Sequence, residues 1–172
     1  MKKRVIIIGS LDSILIYFTK YLILNDVEIY LIVRKNEEPT ILKELEKEVT
    51  IVRFDGNVEH LKLLLKSLEP SVIYNLSSLD INDSYEVKDL VEKSYLNTIL
   101  ILEALKTSKD TKLINLLGKN IKDKDENSLN IYSAIQGSLE YIINYYKNTY
   151  NINASIKYKT GDISLDLDTL LS

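Results

Sequence analysis

The chain has 172 residues, 45% of them hydrophobic and 27% charged, a composition typical of one globular domain with its own core. It contains no cysteine, which excludes disulfides, thiolate zinc sites and cysteine nucleophiles, and its one histidine, His60, argues against a histidine-rich metal site. A net charge of −3 gives no overall attraction to nucleic acid or to an anionic membrane, so we expect neither as a partner.

The N-terminus begins like a signal peptide, because basic residues 2–4 precede an apolar run. The run breaks at residues 9–12, however, and no small-residue cleavage site follows. No uncharged stretch approaches the roughly 20 residues that a membrane-spanning helix needs. We therefore expect a cytoplasmic protein whose first apolar run is a buried strand.

Short β-branched runs alternate with longer amphipathic patterns along the chain. Strands are predicted at residues 5–9, 27–33, 49–54, 71–76, 112–116 and 154–159. Helices are predicted at residues 12–24, 40–47, 59–68, 86–106 and 128–150. This alternation predicts an α/β fold, a Rossmann-like, doubly wound parallel sheet. We expect one domain over residues 1–163, then a tail (164–172) or a short capping helix, with no second domain.

In such sheets, ligands bind beyond the carboxyl ends of the strands. The first such loop contains Gly9 and Ser10, and a phosphate-binding loop needs glycine so that the backbone can approach a pyrophosphate. Asp12 and Leu15 stand where further glycines would be, and the Asp12 carboxylate would repel a phosphate. The alternative is structural, since Ser10 or Asp12 can cap the first helix.

The next strand ends carry further candidates. Arg34 and Lys35 follow the second strand, where cations can hold the 2′-phosphate of NADP, or they form an ordinary surface pair. Asp55, followed by Gly56, ends the third strand and can accept a hydrogen bond from an adenine amino group or cap the next helix. The end of the fourth strand completes the predicted cofactor-binding set with Leu76, Ser77 and Ser78.

Tyr132 lies at the start of the last long predicted helix. A tyrosine followed four residues later by lysine is an acid/base pair, because both lie on one helix face and the ammonium lowers the phenol pKa. Gln136 occupies that later position and cannot act in this way. Tyr132 is therefore a candidate catalytic residue without its usual partner, or simply a packing residue.

The order and spacing of five segments resemble extended short-chain dehydrogenases/reductases, and among them the NAD-dependent epimerase/dehydratase family. Residues 70–76, including Ile73-Tyr74-Asn75-Leu76, look most like GDP-mannose 4,6-dehydratases, as do Ile32-Val33-Arg34 and the helix around Glu103-Ala104. The other matching segments are 4–9, 27–35, 54–57 and 130–136.

This resemblance implies a catalytic Ser/Thr at Leu117 or Gly118, an acidic base at Asn120 and a Tyr–Lys pair at Tyr132 and Gln136. Three of these four reaction groups are absent. The resemblance also implies a C-terminal substrate domain, which we expect this chain to lack. It further implies a dimer through helices 86–106 and 128–150. Tyr141, Tyr145 and Tyr146 are candidate anchors for that interface, because tyrosine offers a large contact area with a polar tip, or they are simply core and surface packing residues.

Three hypotheses follow. The first is a catalytically silent relative kept for binding or assembly, which binds NADP or NAD weakly or not at all. The second is an active NAD(P)-dependent nucleotide-sugar dehydratase or epimerase completed by a partner chain. The third is a receiver-like phosphoacceptor domain, in which Asp12, Asp55 and Lys119 take the roles of carboxylate, acceptor and lysine.

Overall fold

The computed structural model describes residues 2–9, 13–35, 45, 47–77, 88, 91–118, 131–159 and 162–171. Six parallel strands form one sheet in the order β3-β2-β1-β4-β5-β6. The strands are β1 Arg4–Gly9, β2 Glu28–Arg34, β3 Thr50–Phe54, β4 Val72–Leu76, β5 Lys112–Leu117 and β6 Ala154–Tyr158. The α-helices are α1 Ser13–Ile23, α2 Val58–Leu68, α3 Asn97–Leu105, α4 Ile131–Tyr150 and α5 Ile163–Leu171.

The predicted doubly wound parallel sheet is confirmed. All six predicted strands are present, with their ends within one residue of the prediction. The predicted helix over 86–106 divides into a π-helical segment, Val91–Leu96, and α3, while its residues 86, 87, 89 and 90 lie outside the described part. The predicted helix over 40–47 lies almost entirely outside the described residues.

Helices cover both faces of the sheet, which explains the nearly continuous apolar strands. Side chains alternate across β1: Val5 and Ile7 pack into the cluster that includes α1 and α5. Ile6 and Ile8 pack into the cluster on the other face, which includes α2, α3 and α4. The carboxyl ends of all six strands therefore meet along one edge of a layered core.

The closing residues form a helix. In α5, Leu170 is fully buried in the same cluster as α1. Of the two expectations for the end of the chain, a tail or a short capping helix, the capping helix is the one observed.

Helices α3 and α4 are joined by a polar cluster at their C-terminal ends. The Tyr146 hydroxyl donates to Glu103, and the Lys106 ammonium lies 2.6 Å from the same carboxylate. Burial, followed by the hydrogen bond to Glu103, raises the pKa of Tyr146 well above its ordinary value. The Lys106 ammonium also lies 4.1 Å from the ring centre of Tyr150. These contacts hold Tyr146 within the domain.

The described residues contain neither a membrane-spanning helix nor a cluster of metal ligands. None of their helices is long and apolar enough to cross a membrane. Within the same residues, no three His, Asp or Glu side chains lie close enough together to bind a metal ion.

Candidate nucleotide-binding edge

Gly9 ends β1, where the strand order reverses beside β4, and it pairs with Leu76. A Cβ atom at Gly9 would lie 3.0 Å from the carbonyl carbon, the oxygen and the Cβ of Leu76. The packing of β1 against β4 therefore requires glycine here, whether or not a ligand binds. Three other predicted residues of this edge, Ser10, Asp12 and Ser78, lie outside the described part of the chain.

A cavity of about 290 Å³ opens at the carboxyl ends of β2 and β3. The structure brings four of the predicted cofactor-binding residues together around it, and its lining consists of Arg34, Lys35, Phe54, Asp55, Gly56 and Asn97. Typical ligand pockets measure about 300–1,000 Å³, so this cavity is at the lower end of that range.

Arg34, at the end of β2, contacts the π-helical segment and α3, which follow β4 in the chain. Its Nη2 donates to the backbone carbonyl of Glu92, in the π-helical segment, and to Asn97 Oδ1 at 3.3 Å. Within the described residues, its Nε and Nη1 have no hydrogen-bond partner. The guanidinium thus supports the fold with one nitrogen and has donors left for an anion in the cavity. The sequence pattern did not predict Asn97 as part of this site, because Asn97 lies on α3, far along the chain from Arg34.

Asp55 uses both carboxylate oxygens within its own turn. Oδ1 accepts from the backbone N–H of Asn57 at 3.0 Å, and Oδ2 lies 3.0 Å from Nδ1 of His60. The hydrogen bond from Asn57, followed by the charge of His60, lowers the pKa of Asp55. The N-cap of α2 is Asn57, whose Oδ1 accepts from the N–H of Glu59, so the capping alternative for Asp55 is wrong. Gly56 has a φ of +83°, a conformation that favours glycine.

A buried polar network lies beneath this edge. Asn75 and Asn115 face each other across β4 and β5, and Asn75 Nδ2 donates to Asn115 Oδ1 and to Thr98 Oγ1, the latter at 3.0 Å. Thr98 in turn donates to the carbonyl of Ser94 in the π-helical segment, at 2.8 Å. The network therefore links the sheet to the segment that Arg34 also contacts. The sequence signal for this network is an asparagine within each of two largely apolar strands, Asn75 in β4 and Asn115 in β5.

Two further buried polar side chains, Ser77 after β4 and Gln136 on α4, lie near the ends of β4 and β5. The N–H of Ser77 donates to Asn75 Oδ1 at 3.2 Å, and its side chain is 1% exposed. Gln136 of α4 is 3% exposed, and its Oε1 accepts from the N–H of Gly118 at 3.2 Å. Within the described residues, Ser77 Oγ and Gln136 Nε2 have no hydrogen-bond partner.

The contact between Gly118 and Gln136 joins the end of β5 to the first turns of α4. Tyr132 lies one turn earlier on α4, but its side chain lies outside the described residues. Leu117 is an apolar, buried residue, and Gly118 has no side chain. The side chain that contacts Gly118 is therefore a neutral amide, and the end of β5, at Leu117 and Gly118, carries no hydroxyl.

The strand order contradicts the receiver-like hypothesis. Such domains have the order 2-1-3-4-5, which places the ends of the first and third strands side by side. Here β2 separates β1 from β3. The end of β3, with Asp55, is therefore not next to the end of β1, and Asp55 does not occupy the acceptor position of a receiver-like domain. Lys119 lies outside the described residues.

This arrangement of strands and helices defines a Rossmann-type fold. No family model and no curated protein matches the sequence, whereas many solved structures match the fold. One is dTDP-glucose 4,6-dehydratase from Bacillus anthracis in complex with NAD, with 17% identity and a TM-score of 0.71 over 91% of this chain and 54% of that one.

Two more are similar. L-threonine dehydrogenase from Clostridium difficile has 18% identity and a TM-score of 0.73, over 91% of this chain and 53% of that one. UDP-glucose 4-epimerase from Brucella ovis, in complex with NAD, has 14% identity and a TM-score of 0.69, over 91% and 51%. This chain thus spans about half the length of these structures, and the likeness shows a shared fold.

Proposed function

We propose that this chain is a Rossmann protein of the nucleotide-sugar epimerase/dehydratase type that has lost catalysis and serves in binding or assembly. The observation that carries the proposal is Gln136. In the resembling family, a lysine at this position provides the positive charge that lowers the pKa of the catalytic tyrosine. The Gln136 amide carries no charge, and its oxygen is held by the N–H of Gly118.

The end of β5 supports the same proposal. The Ser/Thr of the family falls at Leu117 or Gly118, and neither residue has a hydroxyl. A tyrosine with an ordinary pKa near 10 remains almost wholly protonated at neutral pH and is a poor base.

Incubation of the full chain with NADP and nucleotide sugars, GDP-mannose first among them, tests the proposal, and we expect no product. Product formed only with a second chain present would instead support the partner-completed enzyme.

We expect NADP to bind weakly, in the millimolar range, and in preference to NAD, because Arg34 and Lys35 supply cations to the cavity at β2 and β3. Replacing Lys35 with alanine should loosen NADP about threefold to fivefold at unchanged stability, since its exposed ammonium has no partner among the described residues. Arg34→Ala should loosen NADP and also lower the melting temperature, because it releases the π-helical segment.

Calorimetric titration measures these affinities, and thermal unfolding measures the stabilities. Lys66→Ala is the matched control, since Lys66 is also exposed but lies near the C-terminus of α2, far from the cavity. Tight binding of NAD by the unmodified chain, or equal loosening by Lys66→Ala, would contradict this assignment.

For assembly, we propose a dimer of this chain through the exposed side of α4, which the resemblance also implies. Tyr141 and Tyr145 are 81% and 56% exposed, one helical turn apart, and tyrosine supplies large contact area with a polar tip. Tyr146 is half-buried and its hydroxyl donates to Glu103, so the test uses Tyr141 and Tyr145. Sedimentation should show a dimer that dissociates in Tyr141→Glu/Tyr145→Glu but not in Tyr17→Glu, since Tyr17 is a tyrosine on α1 with 54% exposure, close to that of Tyr145. A monomeric unmodified chain at high concentration would contradict the proposal.

A further inference from the structure

A second cavity, of about 250 Å³, lies beneath α2, against the edge strand β3 and its neighbour β2. Its apolar lining consists of Ile32, Val52, Phe54, Leu61 and Leu64. It shares Lys35, Phe54 and Asp55 with the nucleotide cavity, whereas Leu64 lines only this one and Asn97 lines only the other. The two cavities are therefore neighbours with a common wall.

The polar side of this cavity carries an excess of positive charge. Lys35 and Arg53 contribute cations, and Arg53 Nη1 donates to the carbonyl of Arg34 at 3.4 Å. Asp55 is the one carboxylate among the lining residues, and both of its oxygens are already engaged, by Asn57 and His60. His60 contacts Asp55 through Nδ1, which leaves Nε2 as the ring nitrogen without a partner among the described residues. The lining thus has two cationic side chains against one carboxylate, and the contacts with Asn57 and His60 occupy both oxygens of that carboxylate.

We propose that this cavity binds a small organic carboxylate with an apolar body. The body would pack on Phe54 and Leu64, and the carboxylate would pair with the Lys35 ammonium beside the His60 ring. A volume of 250 Å³ accommodates on the order of ten non-hydrogen atoms, the size of an aromatic acid. Inorganic phosphate would leave the apolar lining without a partner. The proposal is independent of the catalytic state of the chain, because it uses neither Tyr132 nor Gln136.

Benzoate is the probe, with benzamide as its uncharged match. His60 is the only histidine in the chain, so its ring C–H signals in a proton NMR spectrum need no assignment. We expect benzoate to shift these signals saturably, with a dissociation constant in the millimolar range, as for other small fragments. Benzamide should bind about fivefold more weakly, because it lacks the charge that pairs with Lys35.

Variants locate the site. Lys35→Ala should weaken benzoate binding about fivefold and Lys66→Ala should leave it unchanged. Leu64→Trp should abolish benzoate binding by filling the cavity, while Asn97→Ala should retain it. If Leu64→Trp does not fold, the comparison of Lys35→Ala with Lys66→Ala tests the proposal by itself. The proposal is overturned by shifts that rise linearly with benzoate, by equal binding of benzamide, or by equal effects of the two lysine variants. Binding lost in Asn97→Ala and kept in Leu64→Trp would place benzoate in the nucleotide cavity and also overturn it.

Discussion

Replacing Asn75 with alanine is expected to lower the free energy of unfolding by about 2–4 kcal/mol. Asn75 contacts Asn115, Thr98 and the backbone N–H of Ser77, and all of these groups are buried. Removing its amide takes the hydrogen-bond partner from Asn115 Oδ1 and from the N–H of Ser77. Within the described residues, it also leaves Thr98 Oγ1 with only its bond to the Ser94 carbonyl, and all of these positions are buried. The cost of such orphaned groups exceeds the small net gain of an ordinary hydrogen bond.

Urea unfolding followed by circular dichroism measures this loss. Asn25→Ala is the matched control, because the Asn25 amide donates to the carbonyl of Tyr21 in an exposed position. We expect the control to change the free energy of unfolding by about 0.5 kcal/mol or less. An Asn75→Ala protein as stable as this control would show that the network does not support the sheet.

Replacing Gly9 with alanine is the second change with a large expected effect, about 1–3 kcal/mol of lost stability in the absence of any nucleotide. The added methyl group would lie 3.0 Å from backbone atoms of Leu76, which cannot rotate away as a flexible side chain can. The ends of β1 and β4 would have to move apart, and Leu76 is part of the core.

Gly56→Asn is the control for Gly9→Ala, because Gly56 is constrained by its backbone conformation and Gly9 by its close contact with Leu76. Gly56 has a positive φ, but a Cβ atom there would meet nothing within 4 Å, and asparagine tolerates that backbone conformation. Its stability should change by a few tenths of a kcal/mol. If Gly9→Ala were equally harmless in thermal and urea unfolding, then the glycine would be present for a ligand rather than for the fold.

The fold could be predicted because parallel strands covered on both faces leave a strong pattern. Residues 5–9 are apolar without alternation, and residues 112–116 are apolar except for Lys112 and Asn115, which is typical of strands buried between helix layers. The division of the predicted helix 86–106 was missed. Its π-helical segment is held by Arg34, which lies about sixty residues earlier in the chain, and no local pattern contains that contact.

The candidate site could be predicted only in part. Arg34, Lys35, Asp55 and Gly56 were found because they directly follow strands whose ends must meet at one edge. The hydrogen-bond partners of these side chains could not be predicted from strand positions alone. His60 and Asn57 occupy the Asp55 carboxylate, and Asn97 contacts Arg34 from another helix. The receiver-like hypothesis failed for the same reason, since strand order is a long-range property that the spacing of carboxylates does not contain.

Turnover of nucleotide sugars by the full, unmodified chain tests the loss of catalysis most directly. The chain is incubated with NAD or NADP and with GDP-mannose, dTDP-glucose or UDP-glucose, and the sugar products are separated and identified by mass spectrometry. We predict no epimerised or dehydrated product, either from this chain or from Gln136→Lys, because the hydroxyl at the end of β5 is also missing. Conversion of any of these sugars by the unmodified chain, above the rate in its absence, would contradict the account.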